Sequence, residues 1–278
     1  MAIISLTTVP PRFHALGEVL DSLVMQTAKI EEIRLYIPKR YRRFPDWAGD
    51  LPRIASEVRL LQVDDDFGPA SKVVHAVDDL NGTSTPIIFC DDDRIYPPNW
   101  AEGLLQAHNE QRSCCVAVHG RHLHEIIPIE PLPLSGRRAE VGKQYFDPTY
   151  RWKRTIQRLV QMRSKPIGQK PFRGLVARSG FTDVLLGYAG ALVLPDFFDA
   201  AVFDIPDDIW MVDDIWLSGH LARRKVPIWL PKRQRVCLRA KNDTVDALRN
   251  SVFDGNDRDA SNKRAIAYFQ DTYGVWRD

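Results

Sequence analysis

Short apolar runs alternate with amphipathic stretches through about the first 120 residues. The runs are rich in β-branched and aromatic residues and are bounded by Pro, Gly or Asp, which predicts strands in AIISLTT, EIRLYIP, EVRLLQV, PIIFCD and CCVAVHG. The stretches between them space apolar residues by three and four, which predicts helices in ALGEVLDSLVMQT, PASKVVHAVDDL and NWAEGLLQAHNEQ. This alternation predicts an α/β fold with a mostly parallel central sheet and helices on both faces.

The second half of the chain is less regular. Its pattern predicts a basic helix near Tyr150 to Met162, followed by a strand in GALVLP, a helix in DDIWLSGHLARRK, a strand in VPIWLP and a last helix around NKRAIAYFQDTY. No internal repeat and no Gly- or Ser-rich linker divides the chain. We therefore expect a single domain.

Composition excludes several classes of protein. Hydrophobic residues at 44% and charged residues at 27% are ordinary for a folded globular chain, so neither disorder nor a membrane span is indicated. A net charge of +2 argues against general nucleic-acid binding. The four cysteines have no CxxC spacing and the start MAIISLTTVPPRF has no basic signal region, so we expect buried thiols and a cytoplasmic location.

Three consecutive carboxylates, Asp91, Asp92 and Asp93, follow the predicted strand PIIF with one residue between. In an open parallel sheet, ligands bind at the carboxyl ends of the strands. Carboxylate oxygens suit Mg²⁺ or Mn²⁺, and Mg²⁺ is usually held by one or two carboxylates together with substrate phosphates. A metal–nucleotide site is one interpretation; a solvated acidic turn is the other.

An apolar strand that ends in Asp-x-Asp about 90 residues into an α/β half resembles the metal-binding motif of GT-A fold glycosyltransferases. These enzymes transfer sugar from a nucleotide diphosphate donor. The resemblance implies that Asp91 faces the donor's ribose and sugar and shares the metal ion with Asp93. It leaves Asp92 as a substitute for either residue.

Two further segments fit the same resemblance. The first strand continues into SLTTVPPRF, which implies nucleotide contacts from Thr7, Thr8 and Arg12. DDDFGPASKVVHAV resembles the base- and ribose-binding segment, and there Lys72 is expected to reach a phosphate. Its acidic run, which ends at Asp66, either contacts the ligand or supplies favourable charge to a helix N-terminus.

The segment GYAGALVLP followed by an acidic pair resembles the acceptor-binding half of the family. Gly187 and Gly190 would let the backbone approach the sugar closely. The resemblance implies that Asp214, with Asp213 as its partner, is the general base that deprotonates the acceptor hydroxyl. From the residues alone, a helix start with favourable dipole charges explains the pair equally well.

The resemblance covers roughly residues 1–230 through short motifs in order. It implies a metal-dependent, inverting, hexosyltransferase-type enzyme that acts on a glycan or glycolipid in surface polysaccharide or lipopolysaccharide synthesis. The implied division is a nucleotide-sugar-binding half (1–125), an acceptor-binding half (126–240) and a C-terminal lid and helix (241–278). Two alternatives stay open: a nucleotide-sugar-binding protein without transfer activity, and a metal-dependent phosphoesterase or nucleotidyltransferase.

The stretch from Arg151 to Arg178 is basic and contains no acidic residue. It predicts peripheral contact with an anionic membrane, closure over the donor diphosphate, or simply a solvated basic face. Nucleic acid is disfavoured because aromatic residues are sparse there.

The histidines and the C-terminal segment leave the metal shell incomplete. His122 and His124 have possible zinc spacing, but no fourth ligand is evident nearby in the sequence, so histidines that have ordinary partners or that contact the acceptor are favoured. No His follows His220, and KNDTVDALRNSVFDGNDRD offers only Asn and Asp as a third metal ligand. Its polarity is typical of a lid.

Overall fold

The computed structural model describes residues 1–133, 136–142, 147–161, 170–232, 234–246 and 258–277. Its helices are α1 (Gly17–Val24), α2 (Ser71–Asp79), α3 (Trp100–Glu110), α4 (Pro148–Gln161), α5 (Asp213–Arg223) and α6 (Arg258–Tyr273). Its strands are β1 (Ala2–Thr7), β2 (Ile30–Pro38), β3 (Val58–Val63), β4 (Ile87–Phe89), β5 (Arg94–Ile95), β6 (Cys115–Ala117), β7 (Gly120–Arg121), β8 (Glu140–Val141), β9 (Val176–Arg178), β10 (Gly180–Thr182), β11 (Val184–Leu185), β12 (Ala191–Val193), β13 (Ile228–Leu230) and β14 (Leu238–Arg239).

The central sheet has eight strands in the order β10-β13-β6-β12-β4-β1-β2-β3. Strands β3, β2, β1 and β4 are parallel neighbours. Strand β12 runs antiparallel between β4 and β6, β13 is parallel to β6, and β10 is antiparallel at the edge. The predicted α/β fold with a mostly parallel sheet is confirmed.

Side chains of the central strands alternate between two hydrophobic cores. In β4, Ile87 and Phe89 belong to one core, whereas Ile88 between them belongs to the other. The first core packs against α2, α5 and α6, and the second packs against α1 and α3. Because successive side chains of a strand point to opposite faces, these contacts confirm that helices cover both faces of the sheet.

Several short strands lie outside the predicted pattern. Strand β14 pairs with β5, β11 with β7, and β8 with β9, each in a two-stranded sheet. Strands of two or three residues are too short to show a period of two, so the apolar pattern did not predict these pairs. The pairing of β14 with β5 matters for function, because it brings the segment after Gln234 against the residues that follow the three aspartates.

The basic helix predicted near Tyr150 is α4, and Met162 lies outside the described residues. All four cysteines are buried free thiols, as expected from their spacing. None of the helices in the described ranges has the length and apolar character required to cross a bilayer.

Candidate active site

A cavity of about 280 Å³ opens at the carboxyl edge of the parallel strands. The segments that follow β1, β2, β3 and β4 all contribute to its wall, as does the first turn of α5. Ligands of open parallel sheets bind at this edge. Ten residues predicted above to bind donor or metal or to act as base line the cavity: Thr7, Thr8, Arg12, Asp66, Lys72, Asp91, Asp92, Asp93, Asp213 and Asp214.

Asp92 is the innermost of the three aspartates and is 4% exposed. Thr8 donates a hydrogen bond from Oγ1 to Asp92 Oδ2 at 2.5 Å, and Arg12 forms an ion pair with Asp92 Oδ1. Arg12 also donates from Nε to the carbonyl oxygen of Val245 at 2.8 Å. These three side chains therefore bind one another and fix the loop after β4 to the loop after β1.

Asp91 and Asp93 face different cations. Lys72 Nζ lies 2.5 Å from Asp91 Oδ1. Asp93 lies between two guanidinium groups, with Arg94 Nε 3.2 Å from Oδ1 and Arg12 Nη2 3.4 Å from Oδ2. Each carboxylate of the run therefore has a positive neighbour, which explains how three adjacent like charges are tolerated at the end of a buried strand.

The pKa values of the run diverge accordingly. Burial raises the pKa of Asp93 to about 7, and the neighbouring Asp91 and Asp92 charges add to the effect while Arg94 and Arg12 oppose it. Burial also raises the pKa of Asp92 despite its contact with Arg12. For Asp91, burial is outweighed by Lys72, which holds the pKa of that carboxyl below its ordinary value.

Lys72 lies between the aspartate run and the acidic pair of α5. Its Nζ lies 2.7 Å from Asp213 Oδ2 as well as 2.5 Å from Asp91 Oδ1, and the residue is 3% exposed. Burial would lower the pKa of Lys72, but Asp213, Asp91 and Asp214 hold it well above its ordinary value. In this structure the side chain contacts carboxylates, where the sequence predicted a phosphate contact.

The two acids of α5 have different environments. Asp213 is paired with Lys72, whereas Asp214 accepts a hydrogen bond from the backbone N–H of Gly187 at 2.7 Å. A Cβ at Gly187 would lie 3.0 Å from Lys72 Nζ and 3.1 Å from Asp214 Oδ1, so this glycine keeps room between them. Gly190, at φ 95°, instead packs against the Trp100 indole.

The segment 240–246 lies against the aspartate run. The sequence analysis did not predict this contact. Asn242 donates from Nδ2 to the carbonyl oxygen of Asp92 at 2.9 Å. Asp243 Oδ1 pairs with Arg94 Nη1 at 2.6 Å. Asp246 lines the cavity and pairs with Arg43 at 2.9 Å. The part of the predicted lid at 247–257 lies outside the described residues.

Aromatic and basic residues that the sequence analysis missed complete the wall: Tyr41, Arg43, Phe44, Arg94, Tyr188 and Trp210. Trp210 donates from Nε1 to the carbonyl oxygen of Asp66 at 3.0 Å, and the Arg42 guanidinium lies 5.1 Å from the centre of its ring. At the other side, His119 Nδ1 contacts the Tyr188 hydroxyl at 2.8 Å. Two of these residues could have been identified by their closeness in sequence to a predicted motif, because Arg94 follows the aspartates and Trp210 precedes the acidic pair.

His122 has ordinary protein partners. Its Nε2 contacts the carbonyl oxygen of Ala139 at 3.0 Å, and its Nδ1 lies 2.8 Å from Arg138 Nη1 and 3.6 Å from Asp183 Oδ2. The His124 ring stacks on it at 5.4 Å. The interpretation of these histidines as groups with ordinary partners therefore fits His122.

Asp91 and Asp93 are the residues of the run that could ligate the implied divalent cation. Asp93 Oδ1 is buried and receives no hydrogen bond from the residues that the structure describes, and the Asp91 side chain is 29% exposed at the cavity. Within the described ranges, no group of three or more His, Cys, Asp or Glu side chains is arranged as a metal site. The residues thus fit a cation that takes most of its ligands from water and a diphosphate, rather than one held by protein alone.

Comparison with known proteins gives a structural likeness and no sequence match. No family model matches the chain, and no curated protein matches it. Similar solved structures include S. aureus TarS 1-349 in complex with UDP, at 11% identity and TM-score 0.42, with 97% of this chain and 70% of that chain covered. The structure of S. aureus TarS gives 10% identity and TM-score 0.42, with 43% of that chain covered. A likeness at this identity and TM-score carries no argument about the function of this chain.

Proposed function

We propose that this protein is a metal-dependent glycosyltransferase that moves a sugar from a nucleotide diphosphate sugar to a hydroxyl group. The observation that carries the proposal is the meeting of two acidic motifs, about 120 residues apart in sequence, in one cavity at the carboxyl edge of the sheet. One motif could bind a cation and a diphosphate, and the other could supply the general base. Sugar transfer requires both groups to act on the same sugar.

On the donor side, Asp91 and Asp93 would hold Mg²⁺ or Mn²⁺. When bound, the cation would neutralise the charge that develops on the diphosphate leaving group. Thr8, Asp66 and the aromatic wall at Tyr41 would receive the nucleoside. The division into donor half, acceptor half and C-terminal lid is part of the proposal.

On the acceptor side, Asp214 would be the base. Asp213 is occupied by its ion pair with Lys72, whereas Asp214 is oriented by the backbone N–H of Gly187. Asp214 would take the proton of the acceptor hydroxyl as the acceptor oxygen bonds to the anomeric carbon. The bond from that carbon to the diphosphate breaks, and its electron pair stays on the leaving oxygen. Because the acceptor attacks on the face opposite the diphosphate, the configuration at the anomeric carbon is inverted.

The acceptor class extends the proposal. Resemblance of the opening segment SLTTVPPRF to bacterial glycosyltransferases favours a glycan or glycolipid of surface polysaccharide or lipopolysaccharide synthesis. A panel of such acceptors, with product stereochemistry read from the anomeric proton coupling by NMR, tests both the acceptor class and inversion.

Asp214→Asn tests the assignment of the base. We expect the turnover number to fall about 10²- to 10⁴-fold, because this is the usual contribution of a positioned base, while donor binding by calorimetry is retained. Asp208→Asn, at an exposed carboxylate a short distance before α5, is the matched control and should leave turnover unchanged.

Three outcomes would contradict parts of this proposal. Unchanged turnover in Asp214→Asn removes that residue from the mechanism. Donor binding by the wild-type protein without release of nucleoside diphosphate, with any acceptor or with water, indicates a binding protein. Release of inorganic phosphate from simple phosphate esters indicates a phosphoesterase.

A further inference from the structure

The outer face of α4, which we define as Trp152, Ile156 and Leu159, is an uncovered apolar stripe. These side chains are 66%, 40% and 59% exposed. Residues separated by three and four positions lie on the same face of a helix, so the three side chains are neighbours. They account for three of the seven large hydrophobic side chains exposed in the described ranges.

Polar residues are placed around this stripe in a fixed order. At 100° per residue, Arg151 and Arg158 lie about 80° and about 100° round the helix from the stripe on one side, and Lys153 lies about 60° from it on the other. All three are exposed. On the opposite side of the helix, Tyr150, Arg154 and Gln157 are half-buried. An outward apolar stripe with basic edges is the arrangement of a helix that lies in a membrane interface, where Lys and Arg reach outward to the headgroups.

Charge favours an anionic surface over a neutral one. The chain contains no Asp or Glu from Arg151 to Arg178, so this stretch of the sequence carries a net positive charge. Each Lys or Arg close to an anionic leaflet strengthens binding by about 1 kcal/mol, which corresponds to about fivefold in affinity.

The helix is fastened to the domain beside the cavity. Buried Asp147 accepts hydrogen bonds from the backbone N–H groups of Tyr150 and Gly174, each at 3.0 Å, and forms an ion pair with Arg235. From Arg235 the chain runs directly into β14, which pairs with β5 immediately after the aspartate run. If α4 binds a surface, the domain would therefore be held through an element that is connected to the wall of the cavity.

We propose that α4 docks this protein on an anionic lipid bilayer. Trp152, Ile156 and Leu159 enter the headgroup region, and Arg151, Lys153 and Arg158 contact lipid phosphates. The docking is peripheral and does not depend on the reaction proposed above, so vesicle binding and sugar transfer can fail separately.

Flotation of the full chain with vesicles tests the proposal. Vesicles of phosphatidylcholine with 30% phosphatidylglycerol are compared with phosphatidylcholine alone at low and high salt. We expect binding to the anionic vesicles that weakens with salt. Arg151→Gln/Lys153→Gln/Arg158→Gln should lower the partition coefficient on the order of 100-fold, which is three fivefold steps.

A second variant, Trp152→Ser/Ile156→Ser/Leu159→Ser, tests the apolar stripe and should lower the partition coefficient at least about tenfold, because apolar area no longer enters the interface. Matched controls alter exposed residues elsewhere: Met25→Ser/Leu51→Ser for the apolar set, and Lys29→Gln/Arg53→Gln for the basic set. All six α4 positions are exposed, so circular dichroism and the Tm should match those of the wild type.

The proposal is overturned by any of three results. The wild-type chain fails to float with anionic vesicles; the α4 variants and the control variants bind equally; or the wild-type chain is a dimer in sedimentation and the serine variant is a monomer. The last result would assign the stripe to a second copy of this chain.

Discussion

Replacement of Lys72 by Met removes the cation that lies between the buried carboxylate of Asp213 and the partly exposed carboxylate of Asp91. At an effective dielectric constant of 20, contacts of 2.5 and 2.7 Å correspond to about 6 kcal/mol of gross attraction each. Burial of the charges offsets most of this. What remains after the substitution is Asp91 and Asp213 without their common partner, and the loss of one member of a buried ion pair costs about 3–5 kcal/mol.

Urea unfolding at neutral pH measures the effect. We expect the free energy of unfolding of Lys72→Met to fall by about 3–5 kcal/mol. Lys39→Met is the matched control, because Lys39 pairs with Asp64 at 2.6 Å but the two side chains are 54% and 82% exposed. That control should lose no more than about 1 kcal/mol.

The pH dependence of the free energy of unfolding is a second, independent test of this ion pair. The pKa of Asp91 is lowered in the folded protein, so its stabilising contribution is present above its unfolded pKa and is lost as the pH falls through the folded value. In Lys72→Met, protonation of Asp91 instead relieves unpaired charge. The difference between variant and wild type should therefore shrink as the pH is lowered from about 7 towards about 4.

A double variant completes the test. Adding Asp213→Asn to Lys72→Met removes one of the two stranded charges, so it should recover part of the lost stability, and the two substitutions should be non-additive. The interpretation is refuted if Lys72→Met costs no more than Lys39→Met, or if the two substitutions add.

Two further predictions concern the core. Buried His220, packed among Trp216, Phe269 and Tyr273 with neither ring nitrogen hydrogen-bonded, has its pKa lowered to about 3 by burial and by the charge of Arg223. Stability is therefore lost as the pH falls below about 6.5, by about 1.4 kcal/mol per pH unit, and His220→Phe should remove that part of the slope in unfolding experiments between about pH 7 and pH 4. Gly190→Ala should lower the free energy of unfolding by about 3 kcal/mol or more, because φ is 95° and the new Cβ would lie 2.2 Å from the Trp100 ring. Gly17→Ala, with nothing within 4 Å, should be neutral or stabilising, and equal losses in both glycine variants would contradict this explanation.

The fold was predictable where the chain is periodic over several residues. Strands β1, β2 and β3 and helices α2, α3 and α5 appear where apolar spacing of two, or of three and four, indicated them. The direction of β12 was not readable, because an apolar run of this length is compatible with either pairing. Its antiparallel position between β4 and β6 depends on the path of the chain before and after it.

The candidate site divides in the same way. The sequence identified carboxylates at the end of β4 and the start of α5, since charges beside buried runs stand out in a linear pattern. It missed Tyr41, Tyr188 and Trp210, whose residue types are as common in cores as in cavities. Their role depends on which way the side chain faces, and a local pattern does not carry that information.

The sequence by itself determined that the end of this strand carries charge that needs compensation, because aspartates that follow a buried strand must find positive partners wherever the chain places them. Only the tertiary structure decided which partners these are. Lys72 lies between Asp91 and Asp213 because α2 packs beside β1 and β4 while α5 begins at the same edge of the sheet. Contacts between residues so far apart in the chain are set by the packing of whole elements, and no spacing within a motif encodes them.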